Sequence, residues 1–190
     1  MTVAEVDRIT TENYLAAMGL TAEALPRPVY KIGEEVYIHS AAAPPSDLDS
    51  IAPESITDAV LTGVIDPLDN MERTLGIASL AREKGWRVCV NTSGFANQSA
   101  GRDLTKELSG IVDEINVTFF GVNPKLHDEL AYPAVGNEGW EVMRDFIRCS
   151  VASGIETVCE FIAQPGFEPE PCREFARQLG ARYDIRMYRS

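Results

Sequence analysis

Asn116, Thr118, Glu160 and Arg186 are polar residues set into short apolar runs, INVTFF at 115–120, TVCEFI at 157–162 and IRMY at 185–188. Strand residues two apart share a face. Asn116 and Thr118 are therefore expected on one face, with Ile115, Val117 and Phe119 on the other. Glu160 falls with Val158 and Ile162, and Arg186 with Tyr188. A carboxylate buried alone is costly, so Glu160 needs a partner, and Arg186 is the candidate. Two readings stay open. In one, these residues line a small-molecule pocket, with Glu160 as candidate general base, Asn91 and Thr118 orienting a substrate and Arg186 holding an anion. In the other, they form an internal ion pair that only holds the sheet.

A second polar stretch points to the same place. Arg87-Val88-Cys89-Val90 reads as a strand that stops abruptly in Asn91-Thr92-Ser93-Gly94. In α/β folds the carboxyl edge of the strands is where ligands bind, so Asn91 and Thr92 join the candidates. Cysteines stand at 89, 149, 159 and 172, and none falls in a CxxC or CxxxCxxC pattern. They are expected as separate core thiols rather than a metal site. Of the two histidines, His39 is expected at a strand's carboxyl end, where it can touch a ligand. His127 is expected solvated on a short helix. No P-loop, GxGxxG, G-x-S-x-G or H-E-x-x-H occurs. Trp86 and Trp140 flank helix–strand units and are expected as packing residues.

The elements that position these side chains alternate. Val29–His39 reads as a hairpin turning through Ile32-Gly33-Glu34-Glu35, and Ser40–Pro53 as a proline-rich loop. Six parallel strands are expected to start near residues 36, 59, 87, 115, 157 and 184. Between them, Asn70 caps a helix with Met71, Leu75 and Ala78 on one face. Leu104, Leu108 and Ile111 mark a short helix, and Asn123-Pro124 starts another. Trp140, Met143, Ile147 and Val151 mark a longer one, and Pro171 opens the last. Strands alternating with helices mean βαβ units and a mainly parallel sheet. Polar residues along one face of six strands imply a curved, open barrel around a wet cavity rather than a closed, filled one. Residues 1–27 read as a helical N-terminal extension, with a capping box at Thr2-Val3-Ala4-Glu5, and 28–190 as one barrel domain.

Composition bounds the function classes. The chain has 190 residues, 45% hydrophobic and 24% charged, which suits a soluble domain with a sizeable core. A net charge of −12 and the lack of a Lys/Arg cluster in the sequence argue against nonspecific nucleic-acid binding, which needs a basic surface. No apolar run approaches the roughly 20 residues that span a bilayer, and the acidic, polar MTVAEVDRITTEN is not a secretory signal. A cytoplasmic protein is expected.

Asn91-Thr92-Ser93-Gly94-Phe95-Ala96-Asn97, Gly101-Arg102-Asp103, Leu108 and Asp113 resemble the radical S-adenosylmethionine superfamily, and within it the TatD-linked radical-SAM proteins. Tyr30–Ile38, Pro165-Gly166 and Arg186-Met187-Tyr188 fit the same pattern, so the resemblance runs over about residues 28–190. It implies a partial (β/α)6 TIM-like barrel, with the first barrel helix missing or shortened. The family's GGEP-like strand end, which holds the methionyl part of the cofactor, corresponds to Gly63-Val64-Ile65-Asp66-Pro67. The glycine pair is gone there and Glu becomes Asp. The family's CxxxCxxC, which carries a [4Fe–4S] cluster, corresponds to His39–Ser46, HSAAAPPS, which holds no cysteine.

The resemblance thus implies a degenerate, cluster-less relative with no metal site. Its ligand-binding candidates are Gly63, Asp66, Asn91, Thr92, Asn116, Thr118, Glu160, Arg186 and Tyr188. Its expected role is binding of a small ligand or service as an accessory protein, partnering an authentic radical-SAM enzyme. The flank left open by the lost helix favours a homodimer or another partner. Two alternatives are an enzyme with cluster-independent chemistry in the cavity, and binding of S-adenosylmethionine without cleavage.

Overall fold

The computed structural model describes residues 29–39, 48, 56–63, 65–122, 124, 125, 127, 136–163 and 167–187. The expected extension over 1–27, the loop over 40–53 apart from Leu48, the Pro165-Gly166 bend and Tyr188 lie outside them. The described strands are β1 (Val29–Ile32), β2 (Glu35–His39), β3 (Asp58–Thr62), β4 (Arg87–Thr92), β5 (Glu114–Phe119), β6 (Glu156–Ala163) and β7 (Arg182–Met187). The helices are α1 (Met71–Glu83), α2 (Ala96–Ala100), α3 (Thr105–Leu108), α4 (Gly136–Ala152) and α5 (Pro169–Gln178). The expected hairpin is present, with Gly33 and Glu34 in the turn and β1 antiparallel to β2.

The seven strands lie in chain order, and β2 to β7 pair parallel throughout. In a sequentially ordered parallel sheet every crossover steps the same way. Because such crossovers are right-handed, the helices collect on one face. The burial agrees. Val36, Ile38, Leu61, Val88, Val90, Ile115, Val117, Phe119 and Phe161 share one face and join a single core with Ile77, Leu108, Trp140, Met143, Phe146, Ile147 and Ala176 from the helices. Trp86 and Trp140 are packing residues, as expected. Val60, Cys89, Val158 and Ile162, on the opposite parity, are buried but stand outside that core.

Local details explain where the sequence pattern slipped. Asn70 caps α1, its side-chain oxygen accepting from Arg73 N at 3.1 Å. The buried stripe, however, is Thr74, Ile77, Ala78 and Ala81, with Met71 and Leu75 only half-buried. Thr74 heads the stripe because its hydroxyl donates to the Pro67 carbonyl at 2.5 Å, which satisfies a polar group in the core. The short helix α2 was not expected from the sequence; at five residues it carries too little periodicity to register. No helix among the described residues is long and apolar enough to cross a membrane.

Candidate functional site

Each strand directs alternate side chains to the face that lacks the helices, and paired residues of neighbouring strands stand side by side there. Asn91 pairs with Asn116, Thr118 with Glu160, and Glu160 with Asp184. Sequence candidates from four strands therefore meet near the carboxyl ends. Asn116 Nδ2 donates to Asn91 Oδ1 at 3.1 Å. Thr118 Oγ1 donates to Glu160 Oε2 at 3.3 Å. Arg186 Nη2 lies 2.8 Å from Glu160 Oε1, reaching across from a position diagonal to it. Desolvation pushes the Glu160 carboxyl above its usual range. The Arg186 charge and the Thr118 hydrogen bond pull it back only in part, and Asp184 pushes it further up.

Asp66 and Thr92 are also adjacent, but in a different environment. Thr92 follows the parity of Val88 and Val90 and is buried on the helix side. Asp66 Oδ2 accepts from Thr92 Oγ1 at 2.7 Å, Ser93 N at 2.7 Å and Ser93 Oγ at 2.6 Å, while its Oδ1 accepts from Leu68 N at 3.0 Å. This carboxylate fastens the turn after β3 to the end of β4. Gly63, at the end of β3, is half-buried beside that turn. Gly94 completes it. With φ at +84° and Val117 Cγ1 3.0 Å from where a Cβ would stand, the position favours glycine on both counts. Asn97 and Asp103 serve as brackets too. Asn97 Oδ1 accepts from Leu104 N at 2.8 Å, and Asp103 Oδ1 accepts from Thr105 N at 3.0 Å and Thr105 Oγ1 at 2.6 Å.

The same face carries a second polar group that sequence reasoning missed. Each of the six parallel strands begins with a charged residue: Glu35, Asp58, Arg87, Glu114, Glu156 and Arg182. Arg87 reaches Asp58 at 3.4 Å, Glu114 at 2.8 Å and Glu156 at 2.6 Å. Arg182 pairs with Glu156 and lies 3.5 Å from Glu114. The signal was present in the first position of each strand, and it becomes legible once the strand starts are fixed.

His127 departs from expectation. Rather than solvated, it is buried, its ring edge-on to Phe119 and Trp140, with Nδ1 accepting from Phe120 N at 3.3 Å. The aromatic neighbours come from β5 and from α4, which a local sequence window cannot show.

The four cysteines do not converge. Cys89 sits on the face without helices, Cys159 on the helix-covered face, Cys172 inside α5, and Cys149 half-buried on α4. Burial pushes the Cys89 and Cys159 thiols up to about 12 and Cys172 to about 11. An iron–sulfur cluster needs thiolates grouped around one centre, and with Cys89 and Cys159 on opposite faces of the sheet these residues do not fit one. Among the described residues, no three His, Cys, Asp or Glu side chains are grouped to hold a metal ion.

No protein-family model matches the chain, and no curated protein matches it. Among solved structures, the fold is similar to that of Streptococcus suis SuiB, whose crystal structure is bound to S-adenosylmethionine. The similarity has a TM-score of 0.59 at 13% identity, and it covers 78% of this chain and 35% of SuiB. The chain thus spans about a third of that protein's length. The likeness establishes a shared α/β fold.

Proposed function

We propose that this chain is a radical-SAM-type scaffold, a curved partial (β/α)6 barrel, that binds a small polar ligand without a cluster of its own. The observation that carries this reading is the Thr118–Glu160–Arg186 cluster beside the Asn91–Asn116 pair, on the face away from the helices. Register supports the curvature. Along that face the charged strand starts drift, Arg87 pairing with Asp58 but Glu114 pairing with Cys89, two residues further into β4. Such stagger is what closing a sheet requires.

S-adenosylmethionine is the first ligand to test, because the similar fold of SuiB is bound to it. Its amino-acid end matches a site with one carboxylate and one guanidinium, and its hydroxyls and base match the two amides. When bound it supplies a sulfonium centre. The role that follows is ligand binding or service to a partner enzyme, in solution or as a dimer.

Equilibrium dialysis with S-adenosylmethionine tests the reading. One saturable site per chain, weakened in Asn116→Ala, is expected. No retention up to millimolar ligand would reject this cofactor, and an unaltered site in Asn116→Ala would move it off this face.

A second reading rests on Glu160 alone. Its raised pKa brings the carboxyl closer to neutrality, where a general base works best. Turnover of a ligand found by dialysis, abolished by Glu160→Gln with binding retained, would favour an enzyme.

A further inference from the structure

The asymmetry of the Glu160–Arg186 pair defines the class of ligand, provided that this face binds one as argued above. The Glu160 side chain is 8% exposed and the Arg186 side chain 53%. The carboxylate is fixed, with Thr118 on one oxygen and Arg186 on the other. Its cation arrives from solvent on a long, mobile type of side chain carried by β7, at the end of the strand order. Asp184 is the strand partner of Glu160, so a second carboxylate flanks the first.

Consider what can replace that cation. Withdrawing Arg186 with nothing in its place leaves a buried charge beside another of the same sign, which is strongly unfavourable. A ligand ammonium on Glu160 removes that penalty and frees the guanidinium. The free guanidinium presents a planar fork suited to a carboxylate. An acid lacking an amine would meet Glu160 and Asp184 and be repelled. An amine lacking an acid would leave Arg186 without its partner. Only a ligand with both charges turns one ion pair into two.

We propose that the site takes a zwitterion of the α-amino-acid type by exchange of ion-pair partners, ammonium on Glu160 and carboxylate on Arg186. The rest of the ligand then extends over the same face toward the Asn91–Asn116 pair.

Calorimetric titration with three probes that share one side chain tests the exchange. They are L-methionine, 3-(methylthio)propylamine and 4-(methylthio)butanoate. Methionine is expected to bind at least about tenfold more tightly than either single-charge analogue, the scale of one lost charged contact. Glu160→Gln is expected to lower methionine affinity by about the same factor while its thermal unfolding stays cooperative. Arg186→Ala is expected to weaken methionine and the butanoate but not the amine. An analogue that binds as tightly as methionine would overturn the exchange. So would S-adenosylmethionine binding with no heat from any of the three probes, which would leave the ligand site itself standing. No heat from any of the four would sink both.

Discussion

The face away from the helices has two polar tiers built from the same residue types, and they differ in how their charges are answered. At the amino ends, Arg87 and Arg182 lie among Asp58, Glu114 and Glu156, and each guanidinium reaches at least two carboxylates. Toward the carboxyl ends, a single guanidinium answers Glu160, and Asp184 stands beside it. The lower tier is cross-linked from five strands and fastens the sheet. The upper tier has one half-exposed cation, two amides and a hydroxyl, the groups the proposed ligand would use. Shared composition thus conceals two arrangements, separated by the number of partners per charge, and the proposed ligand site uses the sparser one.

The largest way to disturb the upper tier is through the turn after β4. Gly94→Ala forces a Cβ into a left-handed backbone and against Val117. It is expected to cost about 2 kcal/mol, read as a lower midpoint in urea unfolding. Next comes the lower tier. Arg87→Ala strips one guanidinium from three carboxylates at once, and since its side chain is 39% exposed the loss is expected at about 1–2 kcal/mol. Ligand binding should survive it. A weakened ligand site with unchanged stability would reverse the assignment of the two tiers.

The remaining effects on stability are smaller and sharper. Asn116→Ala loses one half-buried amide hydrogen bond, about 0.5–1 kcal/mol, but should weaken S-adenosylmethionine by about tenfold. Glu160→Gln is expected to leave stability at neutral pH within about 0.5 kcal/mol, because it removes a costly buried charge along with its pair. The sign with pH follows from the raised carboxyl. Below the ordinary value of 4.5 the carboxyl is protonated in both folded and unfolded chains, and wild type keeps its full stability. As pH rises through the higher folded pKa, ionisation costs the folded state more, so wild type loses stability relative to the glutamine variant. Denaturation curves at pH 4 and pH 7 check this. A wild type that gains on the variant with rising pH would show that the Arg186 pair outweighs burial.

The strand pattern carried much of this. Alternation in INVTFF and TVCEFI separated the two faces, because side-chain parity is a local property, and the cost of burying Glu160 alone pointed to Arg186 as its partner. The parallel sheet was legible too, since alternating helices and strands mean βαβ units. Three things were not. Thr92 is one residue from Asn91 in the polar run, yet it turns to the opposite face and into the Asp66 bracket, which is set by a turn 26 residues earlier. His127 looks like a surface residue until β5 and α4 close around it. The lower tier consists of isolated charges at strand starts, which look like solvated ends until ion pairs join five of them across the sheet. The residues that carry the superfamily resemblance, Asn97 and Asp103 among them, hold the loops after β4. Asn91, in the same run, stands instead on the proposed binding face.

Nitrogen-15 correlated NMR during titration with S-adenosylmethionine tests the division most directly. The account predicts saturable shifts in the side-chain amides of Asn91 and Asn116, the backbone amides of Thr118 and Glu160 and the Arg186 guanidinium. The Arg87 and Arg182 guanidinium signals should stay in place. Shifts centred on Arg87 and Arg182, or no shifts at millimolar ligand, would contradict it.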